Sequence, residues 1–328
     1  MQKNSRRSLL PSVILISLFL PLLASCHRTT QPAAPEHYST SISRQNLTRF
    51  IPQRVSFPLL DQDNLAVIQG LFFKPENTGA QRLPAVIAMH GCGGMYSSSK
   101  LRRESLSARH QIMADLLVAE GYAVLFPDSF SSRGFEEICT IENRKRTITQ
   151  KQRRLDAQGA LAWLQSRNDI LPDKIAILGW SHGASAVLAS LNSKQPSVAT
   201  WSFRTPPAPY FRAGVAFYPG CRESLNSNTG YSLAAPITFF IGGSDDWTAP
   251  EPCVELVANL KTAGENASIT VYPDAHHGFD GPSSQPRKHL EVPNGVNPGR
   301  GVTTVSNPAA RADAYAKLKV FLRKHLAY

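Results

Sequence analysis

The amino-acid sequence predicts an α/β fold, built on a mostly parallel central sheet of about eight strands with helices on both faces. From about Arg54 onward, short apolar runs alternate with longer segments of helical periodicity, which is typical of repeated strand–helix units. The apolar runs, such as Pro84–Met89 and Ile175–Gly179, lack strict apolar–polar alternation, as expected of strands covered on both faces. The 328 residues are 42% hydrophobic and 18% charged, which is enough for a sizeable core and excludes a disordered chain.

Residues 1–25 predict an export signal. Lys3, Arg6 and Arg7 precede an apolar stretch of 17 residues that carries no charge. That stretch contains two prolines and is shorter than the roughly 20 residues that a transmembrane helix needs. The adjacent arginines fit a twin-arginine signal, and the apolar stretch fits the general secretory route equally well. Both export routes therefore stay open.

The segment Leu23–Cys26 resembles the lipobox of bacterial lipoproteins, in which the cysteine is diacylated and becomes the new N-terminus. Cys26 is therefore the predicted lipidation site, and the alternative is an ordinary signal peptide with a cysteine there by chance. His27, where sorted inner-membrane lipoproteins carry Asp, favours the outer membrane by the same resemblance. Residues 26–50 are polar and predict a tether. Residues 51–328 predict the folded domain. One lipid-modified cysteine would hold that domain at a membrane of the cell envelope without spanning it.

The charge of the chain bears on its partners. Lys and Arg number 35 and Asp and Glu 24, a formal net charge of +11. Loss of residues 1–25 would leave 32 basic residues against 24 acidic ones, or +8. There is no Lys/Arg-rich run of the kind that binds nucleic acid, so no nucleic-acid partner is predicted. The oligomeric state is left open.

The individual elements follow from these patterns. Arg54–Leu60 and Ala66–Lys74 predict a hairpin around the turn Asp61–Asn64. The later predicted strands are Leu83–His90, Gly121–Asp128, Lys174–Ser181, Ala213–Pro219, Pro236–Gly242 and Ser268–Pro273. The predicted helices are Ser105–Glu120, Ile148–Ser166, His182–Leu191, Glu251–Gly264 and Ala309–His325. Asp280–Asn307 has no periodicity and holds four Gly and four Pro in 28 residues. Two interpretations of this segment stay open, a disordered surface insertion and a functional lid.

Gly179–Gly183 reads Gly-Trp-Ser-His-Gly and fits G-x-S-x-G, directly after a predicted strand and directly before a predicted helix. A sharp turn in that position exposes the serine and places it at a helix N-terminus, where developing negative charge is favoured. Ser181 is therefore the predicted nucleophile. The alternative is a tight turn without chemistry.

A serine hydroxyl needs a base, and the base needs an orienting carboxylate. In α/β-hydrolases the acid and then the histidine follow the serine, each after a later strand. Asp245 and Asp246 follow one such strand, and His276 and His277 follow the next. Asp245 is preferred because it lies closer to the strand end, whereas the spacing leaves both histidines open.

The run His90–Gly94 resembles the H-G-x-G oxyanion loop, whose backbone N–H acts together with that of the residue after the nucleophile. That resemblance makes the N–H groups of Cys92 and His182 the predicted oxyanion donors. By itself this motif is weak evidence for an oxyanion hole. It becomes stronger evidence in combination with the serine, acid and histidine motifs.

With these motifs, the chain from about Arg54 to the C-terminal helix resembles the dienelactone hydrolase branch of the α/β-hydrolases. The matching segments are His90–Gly94, Phe126–Phe130, Arg154–Asp156, Gly179–Gly183, Gly242–Asp246 and Ala275–Phe279. The resemblance implies the α/β-hydrolase fold, hydrolysis of a carboxylic ester without a cofactor, Asp245 as the acid and His277 as the base. The family archetype has a cysteine nucleophile, and this chain has Ser181, so dienelactone as substrate is not implied.

Trp180 before the nucleophile also resembles bacterial cutinases and polyester hydrolases, although core packing behind the turn explains it equally.

Cys92, Cys139, Cys221 and Cys253 remain once Cys26 is assigned to lipid, an even number in an exported chain. Among three possible pairings, Cys92–Cys139 with Cys221–Cys253 is favoured, because each pair follows strands that end at the same sheet edge. No Cys-x-x-Cys pair is present, and no metal site is predicted.

The predicted function is hydrolysis of a small-molecule or acyl ester by a Ser-His-Asp triad. The alternatives are a peptidase or acyltransferase on the same fold, or a non-catalytic surface lipoprotein.

Overall fold

An eight-stranded sheet forms the centre of the computed structural model, which describes residues 50–58, 67–76, 79, 81–195 and 210–327. The strands are β1 (Gln53–Pro58), β2 (Val67–Phe73), β3 (Leu83–Met89), β4 (Ala123–Pro127), β5 (Ile170–Trp180), β6 (Ala213–Phe217), β7 (Ile237–Gly242) and β8 (Ala267–Tyr272). Four predicted features lie outside the described residues: the export signal, the lipidation site at Cys26, most of the tether and the turn Asp61–Asn64.

The strands lie in the order β1-β2-β4-β3-β5-β6-β7-β8. β2 is antiparallel to both of its neighbours, and the other pairs are parallel. Every residue of β3, β4, β6 and β7 is buried. Because successive side chains of a strand point to opposite faces, both faces of the sheet are covered there. This is the α/β-hydrolase fold, and the predicted fold class is confirmed.

The helices are α1 (Ala108–Ala119), α2 (Gln150–Gln165), α3 (His182–Leu191), α4 (Arg222–Leu225), α5 (Glu251–Thr262) and α6 (Pro308–Leu326). The predicted start of α1 was three residues early, because Ser107 acts as N-cap and its hydroxyl accepts from the His110 N–H. α4 was not predicted, since four residues show no periodicity. Among the described residues, no helix combines the length and the apolar character needed to cross a bilayer.

Asp280–Asn307 is not a disordered insertion. It contains β9 (Arg287–His289) and β10 (Val302–Thr304), which pair as an antiparallel ribbon. Thr304 also forms a bridge with His277, so the ribbon joins the edge of the sheet where the predicted site lies. We call Asp280–Asn307 the excursion below.

Candidate active site

Ser181 occupies the sharp turn between β5 and α3. Its backbone has φ 51° and ψ −120°, a conformation that residues with a side chain rarely adopt. The glycines of the motif make the turn possible. A Cβ on Gly183 would lie 2.1 Å from the Met89 carbonyl oxygen, and one on Gly179 would lie 2.5 Å from the carbonyl of Gly183. The turn holds Ser181 in the wall of a cavity of about 360 Å³.

Asp245 and His277 form a buried pair beyond the ends of β7 and β8. Asp245 Oδ2 accepts from Nδ1 of His277 at 2.8 Å, and each residue is only 4% exposed. Asp245 Oδ1 accepts from the backbone N–H groups of Trp247 and Thr248 at 2.9 and 2.8 Å. Because Nδ1 donates to the carboxylate, Nε2 of the neutral ring is left as the proton acceptor.

The neighbouring acid and histidine make different contacts. Asp246 Oδ1 accepts from the Thr303 N–H at 2.7 Å, and its Oδ2 accepts from the Thr303 hydroxyl at 2.9 Å and from Lys288 Nζ at 3.3 Å. Burial raises the pKa of Asp246, but the bonds from Thr303 and the charge of Lys288 outweigh it, so the pKa lies below its usual value. Nδ1 of His276 is buried with no partner among the described residues. Asp246 therefore anchors the excursion, whereas Asp245 is the acid that contacts a histidine.

Ser181 and His277, the candidate nucleophile and base, are not hydrogen-bonded to each other among the described contacts. Among the described residues, Ser181 Oγ makes no hydrogen bond. Such contacts are often loose in a free enzyme and tighten when substrate is bound.

Thr248 is a site residue that sequence reasoning missed. It lines the same cavity as Ser181, donates from Oγ1 to Asp245 Oδ2 at 2.9 Å, and lies 3.2 Å from His277 Nδ1. The only signal was a threonine three residues after the candidate aspartate, where a hydroxyl can close a turn on the carboxylate.

The glycine-rich loop after β3 is fixed by the side chain of His90. Nε2 of His90 accepts from the Ser129 N–H at 3.2 Å, so Nδ1 carries the hydrogen and donates to the Gly91 carbonyl at 2.8 Å. Burial, together with the charge of Arg153, holds the pKa of His90 well below its ordinary value and keeps the ring neutral. His90 therefore shapes this loop and is not available as a base.

Cys92 and His182 line the cavity beside Ser181. Among the described residues, neither of their backbone N–H groups donates to an acceptor in the turns, loops or caps. Two such donors on one wall, next to a serine, form a site suited to a negatively charged oxygen.

The two disulfides are those favoured from the sequence. Cys92 is bonded to Cys139, and Cys221 to Cys253, with Cα separations of 4.9 and 5.0 Å. Cys92 and Cys221 both line the cavity, so each disulfide ties a cavity-wall segment to a second loop or helix.

A sequence model described as the dienelactone hydrolase family matches residues 68–326, which include Cys92, Ser181, Asp245 and His277. The chain belongs to the dienelactone hydrolase family. A curated relative from Escherichia coli (strain K12), named "Putative carboxymethylenebutenolidase", is 28% identical over 187 residues. That match covers 52% of this chain and 63% of the relative.

Solved structures resemble this dienelactone hydrolase family member in fold. One is the dienelactone hydrolase-like promiscuous phosphotriesterase P91 from metagenomic libraries, with a TM-score of 0.59 at 16% identity, covering 84% of this chain and 99% of that one. Another is Thermogutta terrifontis esterase 2 with propionate bound, with a TM-score of 0.56 at 16% identity, covering 85% and 95%.

The cavity of this family member is bounded on one side by the excursion, which contributes Asn294, Gly295 and Val296. Arg146 also lines it and is held by donating to the backbone carbonyls of Ile141 and Cys139 at 3.1 and 3.4 Å. Among the described residues, no cluster of three or more His, Cys, Asp or Glu side chains is placed to hold a metal ion.

A buried carboxylate supports the site from behind. Asp280 is 0% exposed and accepts from Trp180 Nε1 at 2.8 Å and from the Tyr218 hydroxyl at 2.6 Å, while Arg109 Nε lies 3.2 Å away. Trp180 is itself 0% exposed, so it packs in the core behind the turn and does not reach the cavity wall. Tyr218 lies with its ring centroid 4.5 Å from that of His277. Asp280 thus links Trp180, the residue before Ser181, to Tyr218, whose ring packs against His277, a role that sequence reasoning missed.

Proposed function

We propose that this protein is a carboxylic ester hydrolase in which Ser181, His277 and Asp245 act as a catalytic triad. The observation that carries the proposal is the buried Asp245–His277 pair at 2.8 Å. Thr248 bonds Asp245 and lines the same cavity as Ser181, which is held in a strained turn. Membership of the dienelactone hydrolase family supports the same reaction class.

In the acylation step, Ser181 Oγ attacks the carbonyl carbon of the ester and its proton passes to Nε2 of His277. Asp245 stabilises the imidazolium and keeps Nδ1 as the donor. The carbonyl oxygen becomes an oxyanion, which the N–H groups of Cys92 and His182 bind. Loss of one such donor typically lowers kcat by a factor of roughly 10²–10³. The alcohol then leaves with the proton from His277.

In the deacylation step, water attacks the acyl-serine, again with His277 as the base. The carboxylic acid is released and Ser181 regains its proton.

Turnover of p-nitrophenyl butyrate by the full-length protein in detergent micelles tests the proposal. Ser181→Ala should lower kcat by several orders of magnitude, since the nucleophile is lost. His277→Ala should cause comparable damage, and His276→Ala much less. Near-wild-type turnover by a folded Ser181→Ala protein would refute the nucleophile.

An organophosphate supplies a second test that does not depend on turnover. Thermogutta terrifontis esterase 2, a structural neighbour, has been solved phosphorylated by paraoxon. We expect paraoxon to phosphorylate this protein once, on Ser181, as read by intact-mass and peptide-mapping mass spectrometry. Ser181→Ala should stay unmodified, and label on another residue in that variant would contradict the assignment.

We further propose that the enzyme acts at the cell envelope, tethered through a lipid on Cys26. The lipobox-like sequence and the polar tether support this placement.

A further inference from the structure

Arg153, on α2, lies against both backbone segments that the proposed oxyanion hole uses. The side chain is 0% exposed. Its Nη1 donates to the His90 carbonyl oxygen at 2.6 Å and lies 3.2 Å from Nδ1 of His182. Its Nε lies 3.3 Å from the Ser129 hydroxyl. One guanidinium therefore connects the loop that carries Cys92 to the residue that follows Ser181.

Within the described part of the chain, the charge of Arg153 has no carboxylate in direct contact with it. Asp156, the acid one turn further along α2, is engaged by Arg133 through two bonds of 2.7 and 3.0 Å. Among the described residues, no carboxylate forms an ion pair with Arg153. Burial lowers the pKa of Arg153 to about 10, so the side chain is still cationic at neutral pH. Asp156 and Asp128 favour the charged form of Arg153 without forming an ion pair with it, so they offset only part of the free-energy cost of burying the charge.

The contact with Arg153 also sets the protonation of the His182 ring. A guanidinium can only donate, so Nδ1 of His182 must be the acceptor and the ring hydrogen must lie on Nε2. Burial, and then the charge of Arg153, hold the pKa of His182 well below its ordinary value. The ring is thus neutral, and it is tethered at the start of α3, where His182 lines the cavity.

The glycines bring these contacts close to the reacting atoms. A Cβ on Gly183 would lie 2.4 Å from the His90 carbonyl oxygen, and one on Gly91 would lie 3.7 Å from Ser181 Cβ. The His90 carbonyl that Arg153 binds is therefore wedged between the oxyanion loop and the first turn of α3.

We propose that Arg153 is a positioning residue of the oxyanion hole. It holds the His90 carbonyl and the His182 ring with one guanidinium, which fixes the spacing of the Cys92 and His182 N–H groups. It also places a buried positive charge behind the oxyanion. Because that negative charge develops only in the transition state, Arg153 raises kcat and has little effect on binding of the neutral ester. This inference rests on the proposed function.

The test compares Arg153→Met, which removes the charge at similar volume, with Arg153→Lys, which keeps the charge without the planar fork. Lys151→Met is the matched control, because it removes a positive charge from an exposed position of the same helix. The full-length proteins are assayed in detergent micelles for kcat and KM with p-nitrophenyl butyrate. Inhibition by an aryl trifluoromethyl ketone is measured in parallel. Ser181 Oγ adds to the ketone carbon, its proton passes to His277, and the ketone oxygen becomes an oxyanion.

We expect Arg153→Met to lower kcat about 10²-fold, the effect of losing an oxyanion donor, with KM changed by less than about twofold. The inhibition constant of the ketone should rise by a similar factor, because the bound hemiketal carries the same charge. Arg153→Lys should fall between wild type and Arg153→Met, and Lys151→Met should match wild type. Wild-type kcat and ketone affinity in folded Arg153→Met would overturn the proposal, as would a loss confined to KM.

If Arg153→Met fails to fold, Arg153→Lys decides: unchanged ketone affinity in that variant would overturn the proposal. Nitrogen-15 NMR of labelled histidine provides a readout that a merely structural role would not move. His182 should show the Nε2–H tautomer in wild type and a raised pKa in Arg153→Met, in which the neighbouring charge is lost. Absence of Ser181-dependent turnover in wild type would refute the proposed function instead, while the tautomer of His182 would still report on the Arg153 contact.

Discussion

At the scale of single residues, the site is decided by hydrogen bonds between neighbours that look alike in the sequence. Asp245 and Asp246 are adjacent, yet one accepts from a histidine ring and the other from a threonine of the excursion. Beyond the end of a strand, the side chains of successive residues point in different directions. Of two adjacent aspartates, one can therefore bind a residue of the site while the other binds a residue of a loop.

We expect Asp245→Asn to lower kcat of ester hydrolysis about 10⁴-fold, because an amide at that position favours the wrong tautomer of His277. Asp246→Asn should lower kcat by less than about tenfold, since it does not contact the imidazole. Steady-state kinetics of the two variants, with circular dichroism as the folding control, measure the difference. A larger loss of kcat in Asp246→Asn than in Asp245→Asn would identify Asp246 as the acid. Small and equal losses would show that neither aspartate is the acid.

At the scale of elements, the excursion is the part of the fold that completes the cavity. Its ribbon is held at one end by Asp246 through Thr303, and at the other the Asn294 side chain accepts from the Asn143 N–H at 2.8 Å. These contacts join the segment after β7 to the loop that leads into α2. The excursion therefore forms a wall whose position depends on a carboxylate next to the proposed triad.

The anchoring by Asp246 predicts a pH dependence of stability. Its pKa in the folded protein lies below the usual value, so the stability it contributes is present above the unfolded-state pKa of roughly 3.9 and is lost as the pH falls toward the folded-state value. Asp246→Asn should therefore lower Tm at pH 7, and the difference from wild type should shrink below about pH 4. Thermal unfolding across pH 3–7 measures this. A Tm difference that grows as the pH falls would contradict the assignment.

At the scale of the whole molecule, the site rests on a core that contains neutral histidines. His110 is 4% exposed and contacts the Trp180 ring at 4.9 Å between centroids, while its Nδ1 lies 3.0 Å from the Met95 carbonyl. Burial lowers the pKa of His110 to about 4, and His90 and His182 are shifted in the same direction. Protons therefore bind these rings more readily in the unfolded chain.

Because the folded-state pKa values of these histidines are depressed, stability is lost as the pH falls below the unfolded-state value of roughly 6.5. For His110 this window extends from about 6.5 down to about 4. His110→Gln, which retains a donor for Met95, should make Tm depend less steeply on pH between 6.5 and 4.5. Differential scanning calorimetry of both proteins measures the slope, and equal slopes would show that His110 does not titrate on unfolding.

The lipid anchor is a prediction for the whole protein that depends on the sequence alone. Metabolic labelling of bacteria that express the full-length protein, with an alkyne analogue of palmitate, should give a labelled band in the membrane fraction. Cys26→Ala should abolish the label, because the acceptor thiol is absent. A label that persists in Cys26→Ala would contradict the lipobox interpretation, whereas Cys139→Ser is a matched cysteine control that should keep it.

The predicted strands and helices agree with the structure wherever burial leaves a periodic pattern. β3 and α3 are examples, since their apolar residues reveal the element without any knowledge of its neighbours. β5 begins at Ile170, four residues before its predicted start, because Pro172 interrupts the pattern and only pairing with β3 keeps the strand extended. The ribbon of the excursion was missed, because strands of three residues rich in charge and hydroxyl groups carry no apolar signal.

The sequence by itself determined the fold class, the serine turn and the cysteine pairing, because these depend on local periodicity, on glycines at fixed positions and on the order of strand ends. Only the tertiary structure decided which aspartate contacts which histidine, that Asp280 binds Trp180, and that Arg153 lies between His90 and His182. These contacts join residues from 29 to 100 positions apart in the chain. Their partners are selected by side-chain direction and burial in the assembled core, which no local pattern encodes.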